Sequence, residues 1–252
     1  MPSWMDSYLA WLHAYENAAN LPGIYLDPKG IPTFGPGLAL GHWEDGAVQL
    51  LPYAEAQAKL TTPSGAQVAL SPVAWARLPR LLPEANAGDV VIPCTAPAPV
   101  LDALIRARLD DYWALACAWV PTLPRQPDAV QRAVLDLAYR GGSRLVGPNV
   151  RAALAGNALG KFVFELKYAS NGDGLAGNDI RMADLAHACL PLLTPAHLAE
   201  LAAAIRTNRP KVAAVEARLR RLAGRHPRAA AAGLGLTDDG RLTDAVRAAT
   251  GA

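Results

Sequence analysis

This sequence predicts a mainly α-helical protein with a small β-hairpin lobe near its N-terminus, and three observations predict it. Apolar residues fill 52 % of the 252 positions, with Ala and Leu dominant, and these side chains lose little freedom in a helix. From residue 71 onward, apolar positions recur at helical spacing in segment after segment. Ahead of that stretch, two short β-type runs flank a Pro/Gly turn between residues 24 and 34.

The elements follow in order. Ser3 is placed to cap a first helix, whose stripe is Trp4, Met5, Tyr8, Leu9, Trp11, Leu12 and Tyr15. The pattern fades at Glu16, and Pro22-Gly23 breaks it. Gly23-Ile-Tyr-Leu-Asp27, then Pro28-Lys29-Gly30, then Ile31-Pro-Thr-Phe34 read as strand, turn and strand. Residues 38–70 are mixed, with one short helix around Tyr53 to Leu60. Ser71-Pro72 opens a helix with a capping hydroxyl and a proline in its first turn. Asp89 to Cys94 is an apolar run of either type. A long helix then reaches about Val120. Another starts at Asp128 and ends at Gly141-Gly142, followed by helices near 148–156, 158–168, 177–190, 195–207, 210–224 and, weakly, 238–249. One helical domain over residues 1–190, with a helical extension over 191–252, accommodates this order.

The net charge of +2 sets up no global field toward a nucleic acid. Locally, Arg206, Arg209, Lys211, Arg218, Arg220, Arg221, Arg225 and Arg228 face one acid, Glu216. Two readings stand: a solvated helix face, or a surface that docks on an anionic polymer. The three cysteines, Cys94, Cys117 and Cys189, are far apart; Cys117 and Cys189, on apolar helical patterns, read as buried thiols, which fits a reducing compartment. No His, Cys and carboxylate set has metal spacing, so neither metal nor cofactor is expected. Asp6, His13 and Glu16 interrupt the first twenty residues, which lack the pattern of a signal peptide. No window is apolar enough for insertion into a membrane.

The chemistry-bearing residues cluster early. Glycoside hydrolysis needs a proton donor in a partly apolar pocket and a second carboxylate that stays ionised in a wetter one. Glu16 ends a strongly aromatic helix. Asp27 sits at the tip of the first β-run, where water reaches it, and Thr33 lies on the returning strand. A tight turn brings the Asp27 carboxylate and the Thr33 hydroxyl near enough to hold one water. Each residue alone has an ordinary reading: a solvated helix-end acid, a turn Asp bonded to its own backbone, a strand Thr. Trp43, just after the hairpin, is placed to stack on a sugar ring, whereas the other five tryptophans read as core.

Glu16, then Tyr25, Asp27, Gly30, Thr33, Gly35 and Gly37, falls in register with the active-site signature of phage-type lysozymes, which this segment resembles. The resemblance implies a lysozyme-like α+β fold and an inverting N-acetylmuramidase in which Glu16, Asp27 and Thr33 are catalytic. Tyr25, Phe34 and Trp43 would line the substrate cleft. Ala133 to Gly142 resembles the family's cleft helix and adds Tyr139 and Arg140 to that lining. A weaker match runs from Gly174-Leu175 through Arg181 to Asp184. The longer middle and the layout resemble pesticin-like bacteriocin domains more than minimal phage enzymes. The sequence departs from the pattern at Leu38, where His is frequent, and at Arg140, where Asn or Gln is usual. At Ala39 the pesticin-like domains carry their Asp, so Asp27 must serve.

Three functional readings follow. The first is a muramidase acting on peptidoglycan glycan strands, either as an antibacterial toxin or as a phage-like endolysin. It would be made in the cytoplasm and act on the wall after export or lysis. A toxin would need an immunity protein in its producer and a secretion-machinery partner. The second is a lysozyme fold that binds glycan or a partner without cutting. The third is a glycosidase acting on chitin or a related polymer.

Overall fold

The structure is a computed structural model that describes residues 3–16, 21–170 and 176–223. Within them the chain is mostly helical, with a small antiparallel sheet. It divides into two compact units, Met1–Asp110 and Asp111–Ala252. The described helices after residue 190 fall in the second unit.

In the first unit, helix α1 (Met5–Tyr15) buries Met5, Tyr8, Leu9 and Leu12 on one stripe. Its N-cap is Trp4, with no side-chain cap, so Ser3 does not take the expected role. Strands β1 (Ile24–Leu26) and β2 (Pro32–Phe34) form the expected hairpin. They sit at the centre of a four-stranded sheet. Its edges are β3 (Leu38–Ala39), paired with β2, and β6 (Val90–Ile92), paired with β1. Strands β4 (Gly41–Glu44) and β5 (Ala47–Leu50) make a separate hairpin. Its turn is Asp45-Gly46, both at positive φ (49° and 80°), the conformation a tight two-residue hairpin turn needs. Helix α2 (Tyr53–Lys59) follows, then α3 (Pro72–Leu81), where Ser71 Oγ accepts from Ala74 N–H as the Ser-Pro pair predicts.

Helix α4 spans Ala98–Trp119. Its first-unit portion buries Leu104, Ile105 and Leu109. Two contacts tie this portion to α1: Arg106 to Asp6 at 2.6 Å and His13 to Asp102 at 3.2 Å. The pairing runs antiparallel, early α1 to later α4.

The second unit is built on α5 (Asp128–Leu145), which buries Val130 through Ala138 almost without interruption apart from Arg132. Asp128 is its first helical residue rather than a cap, and its charge suits the positive helix N-terminus. The helix does not stop at Gly141-Gly142. It breaks at Gly142 and resumes to Leu145. Helices α6 (Pro148–Ala155) and α7 (Leu159–Phe164) follow, and α7 runs on into a π-helical turn, Glu165–Ala169. The unit is completed by α8 (Ala176–Cys189), α9 (Pro195–Thr207) and α10 (Arg209–Ala223). Thr194 caps α9 reciprocally with His197. Gly160 lies directly under α9, since a Cβ there would stand 1.9 Å from the His197 carbonyl oxygen. The expected helix at 238–249 and the match at Gly174-Leu175 lie outside the described residues.

Charge is buried inside this unit. Asp136 on α5 is fully buried and takes the Arg181 guanidinium, with Nε donating at 2.8 Å. Asp179 on α8, also fully buried, accepts from Arg218 of α10 at 2.6 and 3.0 Å. Glu216 of α10 accepts the Tyr168 hydroxyl at 2.8 Å and lies 2.9 Å from the buried Lys167 ammonium. Two of these three pairs involve α10 and fasten it to the rest of the unit.

Candidate active site in the first unit

The site residues stand on one strand-turn-strand. In the hairpin register Ile24 lies opposite Phe34, Tyr25 opposite Thr33 and Leu26 opposite Pro32. Side chains alternate along a strand, and directly opposed residues share a face. Ile24, Leu26 and Phe34 therefore take one face. Tyr25, Thr33 and, one step beyond the strand, Asp27 take the other. This corrects the expectation for Phe34: period-two alternation turns it away from the Asp27–Thr33 face, and it is buried beside Ile24 and Leu38. It is not placed to touch a substrate there.

Asp27 organises the turn. Its Oδ1 accepts from the backbone N–H groups of Lys29 and Ile31, both at 2.8 Å, and its carbonyl accepts from Gly30 N–H at 2.9 Å. Among the described residues its second oxygen, Oδ2, receives no hydrogen bond. The carboxyl is half-buried rather than fully wetted, which departs from the open setting expected for it. Burial, assisted by the Glu16 charge, raises its proton affinity, against the pull of the two amides and the Lys29 ammonium.

Thr33 is buried, and its hydroxyl donates to the Ile31 carbonyl at 3.0 Å. The proton is thus engaged, and what Oγ1 offers a bound molecule is its lone pairs. Tyr25 is buried as well, its hydroxyl donating to the Gly35 carbonyl at 2.9 Å. Burial, then the charge of Glu16, then that of Asp27, holds this phenol firmly protonated.

Glu16 follows the last helical residue of α1. Its backbone is extended (ψ 141°), and its N–H still donates to the Leu12 carbonyl at 2.8 Å. The side chain is half-exposed. The side chain of Tyr15, expected as an apolar wall beside it, lies outside the described residues. The charge of Glu16 is felt at both Tyr25 and Asp27.

Trp43 joins them. Its indole N–H donates to the Lys29 carbonyl at 2.9 Å, which fixes the ring beside the Asp27–Gly30 turn, and the residue remains 50 % exposed. A half-exposed, anchored indole is an aromatic face held open to solvent. Sequence reasoning missed two further neighbours. Lys59 Nζ donates to the Ala39 carbonyl at 3.0 Å, and Ala39 pairs with Thr33, so a cation stands one strand from the hydroxyl. Asp102 holds His13, one turn before Glu16. Neither has a local signal, because partners twenty and eighty-nine residues apart in the chain leave no trace in spacing.

Tyr139 and Arg140 belong to the second unit, where both are half-buried and the Tyr139 ring meets Tyr112 edge-on at 5.3 Å. Among the described residues no three His, Cys, Asp or Glu side chains converge as a metal ion would need. Nor is any helix long and apolar enough to cross a membrane. Burial raises all three thiols, Cys189 to about 12, which leaves them poor nucleophiles. No family model, curated protein or solved structure matches this chain.

Proposed function

We propose that the chain is a peptidoglycan hydrolase, an N-acetylmuramidase on a lysozyme-like fold that cuts between N-acetylmuramic acid and N-acetylglucosamine. Glu16 protonates the departing glycosidic oxygen. Asp27, through Oδ2, and Thr33, through its lone pairs, hold the attacking water. Trp43 stacks on a sugar of the glycan strand, and Tyr25 fixes β1 against Gly35. The observation that carries this reading is the hairpin register, which puts Tyr25 and Thr33 opposite each other with Asp27 one step beyond on the same face, its Oδ2 unbonded among the described residues; the Glu16 charge reaches that face as well. Two carboxyl groups flanking one locus are what glycosidic cleavage with inversion uses. Tyr139 and Arg140 enter as substrate contacts on the family resemblance alone.

The biology proposed with it is attack on a bacterial wall, as an antibacterial toxin or a phage-like lytic enzyme. The toxin reading carries with it an immunity protein in the producer and an export partner. One observation favours a second reading, a glycan-binding module that does not cut. Both amide bonds to Asp27 Oδ1 are what a purely structural turn Asp makes.

Clearing of purified cell walls by the wild type and by Glu16→Gln separates the two. The muramidase reading expects clearing that falls at least a hundredfold in the variant, with reducing-end muramic acid in the fragments by mass spectrometry. Equal clearing by both chains removes Glu16 as the acid. No clearing by either leaves the binding module, and fragments ending in reducing glucosamine exclude a muramidase.

A further inference from the structure

The basic run that begins at Arg206 divides when its side chains are placed. Glu216, its one acid, turns inward to Lys167 and Tyr168, and Arg218 turns inward to Asp179. Val212, Val215 and Leu219 are buried on the same side of α10. The outward side carries Arg209, Lys211 and Arg221, and Arg206 stands exposed in the last turn of α9. Among the described residues none of these four meets a carboxylate. The side chain of Arg220, and all of Arg225 and Arg228, lie outside the described residues. Among the described residues, burial of the single acid thus leaves exposed charge of one sign on α10, whose Glu216 and Arg218 are held in internal pairs.

We propose that this α9–α10 face is a docking surface for a linear polyanion, specifically a phosphodiester polymer of the bacterial cell wall. Arg209 to Arg221 covers roughly 18 Å of helix, the reach of several successive phosphates. The remaining exposed positions between them, Pro210, Ala213 and Ala214, are small. The face offers no aromatic ring on which a base could stack, as single-stranded nucleic-acid sites do. It offers no outward apolar stripe to enter a bilayer, since the apolar residues of α10 point inward. Charge without stacking or insertion suits a flexible polymer bound by counterion release. The choice of a wall polymer over another polyanion rests on the muramidase reading. Such a surface would hold the enzyme on its insoluble substrate without taking part in the cut.

The test uses the full chain carrying Glu16→Gln, so that walls stay intact and binding is read apart from cleavage. Retention is measured on walls that keep their phosphodiester polymer and on the same walls stripped of it, across a salt series. The expected result is at least tenfold weaker retention on stripped walls. The same loss is expected on whole walls when Arg206, Arg209, Lys211 and Arg221 are all changed to Gln, with a flattened salt dependence. Circular dichroism and melting of that variant should match the parent, because all four side chains are exposed. A control changes Arg77, Arg80, Arg125 and Arg144 to Gln, the same loss of charge from exposed positions elsewhere, and should bind as the parent does. Equal retention on stripped walls, equal loss in the control, undiminished binding of the fourfold variant, or tighter capture by duplex DNA at matched phosphate overturns the proposal. Failure of the parent chain to clear walls refutes the muramidase reading and leaves these binding results readable on their own.

Discussion

Asp27 is where a structural role and the proposed catalytic one come apart most cleanly, because its two oxygens stand in different settings. Oδ1 accepts both turn amides, at 2.8 Å each, while Oδ2 accepts nothing among the described residues. Asparagine can place its single carbonyl oxygen where Oδ1 stands and keep both bonds; alanine keeps neither. Hydrogen bonds to a charged acceptor contribute about 1.5–3 kcal/mol each when buried. In this half-buried turn the pair lost in Asp27→Ala therefore comes to roughly 2–4 kcal/mol. Asp27→Asn should cost little, and the sign turns in its favour as pH rises. Burial and Glu16 raise the folded-state proton affinity of Asp27. The stability this group supplies is thus complete below its unfolded pKa of about 3.9 and lost as pH rises through the folded value. Asparagine does not titrate, so the variant should gain on the wild type between pH 3 and pH 7 and match or exceed it at pH 7. Wall clearing should nevertheless fall on the order of a hundredfold to ten-thousandfold, the ordinary contribution of a positioned general base. Urea unfolding of the three chains at both pH values, beside a clearing assay, reads all of this. An Asn variant as unstable as the Ala variant, or one that clears walls normally, refutes the division of labour between the two oxygens.

Two further outcomes follow from the same geometry. Trp43→Ala removes an anchored but half-exposed indole; KM on walls should rise about tenfold, equivalent to about 1.4 kcal/mol, with kcat and melting little changed. Unchanged KM would show that the ring is not a sugar platform. Glu216→Gln leaves the buried Lys167 ammonium without its counter-charge, which should cost about 3–5 kcal/mol by denaturant titration, whereas Lys167→Met combined with Glu216→Leu should recover most of that loss. A Gln variant within about 0.5 kcal/mol of the parent would show that the pair is not what fastens α10.

The helices were legible because their evidence is local. Ser71-Pro72 and Thr194-Pro195 each pair a capping hydroxyl with a first-turn proline, and both hydroxyls cap. The hairpin was legible for the same reason, since Pro28-Lys29-Gly30 closes a turn between two short β-type runs. The second hairpin has a local signal as well, Asp45-Gly46 between short runs, but its largely exposed strands lack the buried alternation that marks a strand. The fate of α10 was not legible at all. Its spacing shows an amphipathic helix, but the partners of Glu216 and Arg218 are forty-eight and thirty-nine residues away. Only packing decides which charges of a basic run face the solvent.

The candidate site divides along the same line. Tyr25, Asp27 and Thr33 share a face because a period of two and a single turn dictate it, and that arithmetic also expels Phe34 from the face, although its neighbours in the motif made it look eligible. Glu16 is different in kind, because no periodicity links a helix end to a hairpin tip. What brings it there is the packing of α1, with the His13–Asp102 and Asp6–Arg106 contacts tying that helix to α4. The upward push on proton affinity that the structure carries at this turn falls on Asp27. The reason is its position in a half-buried turn within reach of the Glu16 charge. In the proposed mechanism the water would therefore be held by a carboxyl that burial first, and the Glu16 charge last, push toward protonation.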